Sequence, residues 1–279
     1  MAITINSDSS SSAVNQLGRS QKNLASSLER IASARRINKA ADDVAGMTIA
    51  DSLLSQTRAT GQALRNANDA ISMAQVADSA LGQSTALVQS IREKAMQAAN
   101  ASQTTATRQA LQNDINNSLV QLNKIAQDTT YNGQQLLSGS FTGKEVQTGA
   151  NSGETIKLSI ASATPDKLGS PILGNLSEVN VLSRENAQAA IKIADAALNQ
   201  IGASRGDIGS AQQQLASTIN NLATTGSNLL SAASTTADVN MAEEAINFTT
   251  MKVLTEAKTF ALAQAKNMNK QNVLSLLQG

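Results

Sequence analysis

Apolar residues recur along most of this chain at spacings that a helix turns to one side. Ala67, Ala70, Ala74, Ala77, Leu81, Ser84, Val88, Ile91, Ala95 and Ala98 follow one another in alternating steps of three and four. That is the a/d seam of a coiled coil, with Ser84 its one polar member. A second run, Ala187, Ala194, Ile201, Ile208, Leu215, Leu222 and Leu229, recurs every seven residues. Ile191, Leu198 and Ile219 widen it, whereas Arg205, Gln212 and Gly226 break the companion positions. A shorter stripe, Leu111, Ile115, Leu119, Leu122 and Ile125, marks another helix between the two.

Both ends repeat the theme. Leu17, Leu24 and Ile31 step by seven, with Leu28 beside them. Ile246, Val253, Phe260 and Leu274 do the same, with Asn267 the exception, and Leu254, Ala261 and Met268 widen that stripe. A lone helix with one apolar face is marginal in water. The two ends are therefore expected to pair with each other or with neighbouring subunits.

The middle differs. Residues 131–175 hold most of the turn signals and both prolines, Pro165 and Pro171. Asn132-Gly133 is a turn dipeptide. Glu145–Thr148 and Thr155–Ile160 read as short strands, and Gly149–Gly153 reads as the hairpin loop between them. The expected order is three helices, a small β insert, a long helix and a terminal helix.

Composition sharpens the shape and narrows the chemistry. Four aromatics in 279 residues, Tyr131, Phe141, Phe248 and Phe260, cannot fill a wide core. Ala and Leu favour long helices packed through small side chains. With no Cys and no His, ordinary zinc sites, histidine-ligated haem, iron–sulfur clusters and His-based triads drop out. Carboxylate pairs, Ser–Lys dyads and Mg²⁺ sites survive that cull, so an enzyme is disfavoured, and no catalytic, cofactor or metal residue stands out. A net charge of +1 offers no general field for nucleic acid. The uncharged stretch Ile208–Ala237 is too rich in Gln, Ser, Thr and Asn for a membrane helix. No basic segment leads into an apolar one near Met1, so no cleaved signal peptide is expected.

Three features admit a sharper and a blander reading. Asp42 and Asp43 are adjacent, so on a helix they point about 100° apart and do not converge on one site; cap or loop roles fit better. Gly202, Gly206 and Gly209 have no phosphate-loop spacing, and a close helix approach or a local bend fits better. Four N-glycosylation sequons occur, as chance allows in a chain rich in Asn and Ser.

Particular motifs then carry a resemblance. Residues 36–46, Arg-Ile-Asn-Lys-Ala-Ala-Asp-Asp-Val-Ala-Gly, and 65–72, Arg-Asn-Ala-Asn-Asp-Ala-Ile-Ser, resemble the N-terminal signature of bacterial flagellins. Residues 147–155 look like that family's hairpin, and Gln271–Leu277 looks like its C-terminal ending. The resemblance covers nearly the whole chain in family order.

The resemblance implies an all-α fold: an elongated helical coiled-coil bundle with a small β-hairpin and with N- and C-terminal helices paired. Residues 1–45 and 238–279 would form the inner terminal domain, and 46–237 a helical bundle with its hairpin insert near 140–165. Only Ala161–Arg184 lies where the family inserts outer domains, which is too short for one. The implied function is a subunit that self-assembles into the flagellar filament, with a hook–filament junction protein or minor flagellin as the alternative. Filament and terminal-helix packing falls to Leu17, Leu24, Leu28, Ile31, Ile246, Val253, Phe260, Leu274 and Leu277. Arg36, Ile37, Asn38, Asp42 and Asp43 carry the inter-domain spoke signature. The family often has a basic residue in the stretch matching 231–238; none stands there, which removes its salt bridge.

Implied partners are further copies of the chain, the flagellin secretion chaperone on Met241–Leu277, and the filament cap and hook-associated proteins. The family's innate immune receptor reads the segment matching Ser90–Gln97. Arg92 fits that pattern, but Lys94 stands where Leu is expected and Asp114 where Glu is expected, so receptor activation is expected to be weak. Type III export without a cleaved signal and an extracellular place in the filament complete the expectation.

Overall fold

The computed structural model describes the backbone of residues 7–277. Among these residues five α-helices account for most of the chain: α1 (Ser7–Ser33), α2 (Val44–Ala99), α3 (Thr105–Asp128), α4 (Arg184–Ala237) and α5 (Met241–Leu277). Between α3 and α4 lie three two-stranded antiparallel sheets. They pair β1 (Thr130–Tyr131) with β2 (Gln134–Gln135), β3 (Lys144–Gln147) with β4 (Thr155–Leu158), and β5 (Gly169–Ser170) with β6 (Gly174–Asn175).

The chain divides into two compact units, one of residues 1–55 with 228–279 and one of residues 56–227. These limits fall inside α2 and α4, whereas the resemblance implied 45/46 and 237/238. No proline or turn cluster interrupts either helix, so no local sequence signal marks the division.

In the 56–227 unit, the small-residue seam of α2 is the core. All ten positions from Ala67 to Ala98 are buried, and Ser84 resolves its polarity by donating to the Ala80 carbonyl at 2.9 Å. Ala187, Ala194, Ile201, Ile208 and Leu215 of α4 and Leu111, Ile115, Leu119 and Leu122 of α3 are also buried. Thr104 caps α3 by accepting from the Thr107 N–H at 3.3 Å. Two Arg–Asp pairs of opposite sense join α2 to α4: Arg92 Nε to Asp195 Oδ1 at 2.6 Å and Arg205 Nε to Asp78 Oδ1 at 2.7 Å. A β-carbon at Gly202, Gly206 or Gly209 would meet nothing within 4 Å. A close helix approach, one of the two readings of these glycines, is absent at them, and α4 runs through all three.

The β insert is richer than the single expected hairpin. Asn132 and Gly133 both have positive φ, 49° and 75°, which is the turn that closes a two-residue hairpin, here β1–β2. The β3–β4 hairpin aligns Gln147 with Thr155 and Lys144 with Leu158. Ile156 and Leu158 face inward while Lys157 is exposed, as period-two alternation requires. β5–β6 had no strand signal, since Gly-Ser and Gly-Asn are poor strand formers.

Candidate assembly interface

In the unit built from the chain ends, α1 and α5 pack together. An isolated bridge joins Arg35 to Asp238, and Lys258 Nζ donates to Ser20 Oγ at 2.7 Å. The chain position falls on one helix as it rises on the other, so the pair is antiparallel.

The buried and half-buried positions define the facing sides. On α1 they include Leu17, Ser20, Leu24, Ser27 and Ile31. On α5 they are Glu244, Phe248, Met251, Thr255, Lys258 and Leu262, again in steps of four and three. Half of that α5 seam is polar. Sequence reasoning missed it because the polar members hide the period.

The α5 stripe expected to pack on the other terminus or on neighbouring subunits does not face α1. Ile246 is 68% exposed, Val253 59%, Phe260 75% and Leu274 48%. On α1, Leu17, Leu24 and Ile31 sit against α5, whereas Leu28 is exposed. The side chain of Leu277 lies outside the described residues. α5 therefore carries two stripes on roughly opposite sides. A seven-residue repeat marks a stripe without naming its partner, and here the stronger stripe is the unpartnered one. Within this unit its apolar surface goes uncovered.

The spoke-signature segment is a connector held by backbone bonds. α1 ends where Ala34 enters the left-handed region at φ 56°. Arg36 N–H donates to the Ala237 carbonyl at 2.7 Å, and Val239 N–H to that of Ala34 at 3.1 Å. The Arg36 guanidinium donates to the Thr236 carbonyl at 2.7 Å. A cation at the C-terminal end of α4 suits the helix dipole. The segment thus binds the end of α4 without the basic residue missing from 231–238.

Asp42 and Asp43 divide the capping work. Asp42 Oδ2 accepts from the N–H groups of Asn38 and Lys39 at 3.1 and 3.0 Å. Asp43 Oδ1 accepts from Gly46 N–H at 2.8 Å and so caps α2. Gly46 is there for space: a β-carbon would lie 2.4 Å from Asp43 Oδ2 and 2.7 Å from Cδ1 of the buried Ile37.

The two backbone donors hold the Asp42 carboxyl below the usual carboxylate range, the Lys39 bond contributing most. A hydrogen bond from Lys39 to Glu29, at 2.8 Å, raises the ammonium pKa. A lowered acid stabilises the fold above its ordinary value and loses that contribution as pH falls through its folded value. A raised base loses its contribution as pH rises through its folded value. Asp42→Asn keeps the shape and an acceptor but does not titrate. The expected result is a shallower loss of melting temperature on acidification through the carboxylate range than in the parent chain, followed by circular dichroism. An unchanged acid limb would show that Asp42 does not contribute.

The positions matched to the receptor-facing segment are engaged within the chain. Arg92 pairs with Asp195, and Lys94 Nζ lies 2.8 Å from Asp114 Oδ2. The two residues that depart from the expected pattern are thus partners of one another.

The paired terminal helices leave an apolar stripe of α5 open within this unit. Comparison with known proteins gives the family. The family described as the bacterial flagellin N-terminal helical region matches residues 5–142, and that of the bacterial flagellin C-terminal helical region matches 191–277. The flagellar filament 31.3 kDa core protein of Treponema maltophilum is 32% identical over 264 residues, 91% of this chain and 92% of that one. Flagellin A of Helicobacter felis is 44% identical over 174 residues, covering 62% of this chain and 32% of that protein. Flagellin B of Helicobacter pylori is 49% identical over 148 residues, 53% of this chain and 29% of that one. This chain thus spans about a third of the length of these Helicobacter relatives. A Vibrio parahaemolyticus structure, provisionally described as a flagellar hook-associated protein, shares the fold at a TM-score of 0.58 and 14% identity, over 70% of this chain and 99% of that one. The chain belongs to the bacterial flagellin family.

Proposed function

We propose that this chain is the structural subunit of a flagellar filament, and that it assembles through the outward stripe of α5. The observation that carries the reading is the row Ile246, Val253 and Phe260, exposed along a helix whose other side is already paired. Adding a subunit covers that row with neighbouring chains, and the apolar burial offsets the ordering of the terminal helices. The Treponema relative, similar end to end, is by its name a filament core protein.

The residues around Arg36 to Asp43 tie α1, α2 and α4 together at the base of the terminal helices, and act as the connecting spoke. The subunit is exported through the type III flagellar apparatus, with the secretion chaperone covering Met241–Leu277 and hence the same apolar row. Assembly takes place beneath the filament cap, on a base of hook-associated proteins. Recognition by the innate immune receptor is weak. Arg92 and Lys94 already spend their charge on Asp195 and Asp114, so a receptor must break those pairs to use them.

The test is polymerisation of the purified chain on short filament fragments, viewed by negative-stain electron microscopy. Long uniform filaments are expected. Monomers that never elongate would overturn the reading and point to a junction protein.

A further inference from the structure

Ile172, at the tip of the β5–β6 hairpin, is 91% exposed, more than any other large apolar side chain among the described residues. Leu173 beside it is 44% exposed. The tip is nevertheless held firmly. Gln200 accepts from Gly169 N–H at 3.0 Å and donates to its carbonyl at 2.9 Å. Gly169 sits at φ 147°, where a β-carbon would press on the Gly174 carbonyl at 2.6 Å. Ser170 Oγ accepts from the N–H groups of Ile172 and Leu173 at 3.3 and 3.4 Å. The tip therefore presents two aliphatic side chains with their own N–H donors already satisfied, and residues 170–174 carry no charge. Burying such a surface costs little desolvation and little ordering entropy.

The same unit also carries an uncovered apolar groove of about 380 Å³, lined by Leu119, Val120, Asn123, Pro165, Asp166 and Ser177. Val120 is 68% exposed on a helix face otherwise rich in Asn. Asn123 and Ser177 bring groups able to donate to the carbonyls of a tight turn, and Asp166 adds a carboxylate to the same lining. Ile172, being almost fully exposed, does not fill the groove of its own chain.

We infer that the β5–β6 tip is a knob that seats in the α3 groove of a neighbouring copy. The inference rests on the filament reading. A helical polymer needs contacts in which two different patches of one chain meet head to tail. The knob at Ile172 and the groove whose apolar lining is Leu119, Val120 and Pro165 are two such patches on one unit.

The chain contains no Cys, so introduced thiols report without background. Filaments of the double variant Ile172→Cys, Val120→Cys would be oxidised mildly and run on a non-reducing gel. A ladder beyond the dimer is expected, because each copy offers one knob and one groove, and neither single variant, with one thiol per chain, should cross-link at all. Four results would overturn the inference: intact filaments without cross-links, closed dimers only, an internal cross-link in the monomer, or disulfide-linked dimers from Ile172→Cys alone. Failure of the parent chain to polymerise would instead sink the filament reading, and this inference with it. Should the double variant not fold, Ile172→Asp gives a second measurement. Its circular dichroism should match the parent, and its critical concentration for assembly should rise about tenfold, the effect of losing one modest hot spot. An unchanged critical concentration overturns the proposal.

Discussion

Phe260→Asp will leave the isolated chain folded and raise the critical concentration for filament growth about a thousandfold. The side chain is 75% exposed and does not belong to the seam that faces α1, so the monomer loses almost no packing. Asp in a helix interior costs the monomer at most about 0.7 kcal/mol in propensity. Assembly is another matter. Burying Phe contributes about 1.5–3 kcal/mol, and an unpaired carboxylate placed in that contact costs about 2 kcal/mol more. The sum is near 4 kcal/mol, which is about three powers of ten in an association constant. Phe260→Leu keeps most of the apolar area and should assemble within about tenfold of the parent. Sedimentation of polymer across a concentration series, with melting curves of the soluble chain, separates the two effects. A parent-like critical concentration for the Asp variant would remove the outward stripe from the assembly surface.

That prediction also marks the limit of what periodicity reveals. The α2 seam was legible residue by residue, because small side chains in steps of three and four leave one place to go, the inside of a helical bundle. The terminal helices show the same period, yet the strongest apolar row on α5 is turned outward. Its inward row is carried by Phe248, Met251 and Leu262, with Glu244, Thr255 and Lys258 between them. A pairing that tolerates polar seam residues, such as Lys258 on Ser20, cannot be distinguished from a solvated face by hydropathy. The connector at Arg36–Gly46 was legible as a motif, but not its physical role. Its bonds run to main-chain carbonyls of Thr236 and Ala237, two hundred residues away in sequence, and backbone acceptors leave no signature in a side-chain pattern. The segment 161–183 was the least legible. Its shape is set by glutamines on other helices, and neither the buried Gln112 nor the exposed Gln200 differs from any other Gln in one dimension.

Gln112→Leu tests that last point and should destabilise the 56–227 unit by about 2–6 kcal/mol. Gln112 is only 9% exposed. Its Nε2 donates to the Val179 carbonyl at 3.0 Å and to Asn116 Oδ1 at 2.9 Å, while its Oε1 accepts from Val181 N–H at 2.8 Å. One side chain thus acts as a strand edge for the returning loop. Leu has similar bulk but offers neither donor nor acceptor. Val179 and Val181 are themselves buried, so their carbonyl and N–H would be stranded away from water. A stranded buried polar group costs about 1–3 kcal/mol, and two are created. Gln112→Glu should be no better than the Leu variant at neutral pH, since its buried carboxylate would set an oxygen against the Val179 carbonyl and Asn116 Oδ1. Urea unfolding measures the total, and hydrogen exchange at the Val181 amide locates it. A loss below about 0.5 kcal/mol, within the range of an ordinary surface substitution, would mean that the loop holds its course by apolar packing of Leu176, Val179 and Val181 alone. The expected larger loss would make Gln112, together with Gln200 at Gly169, the means by which a segment with almost no strand propensity keeps a defined backbone. That definition is what lets the β5–β6 tip present Ile172 as a fixed feature of the surface.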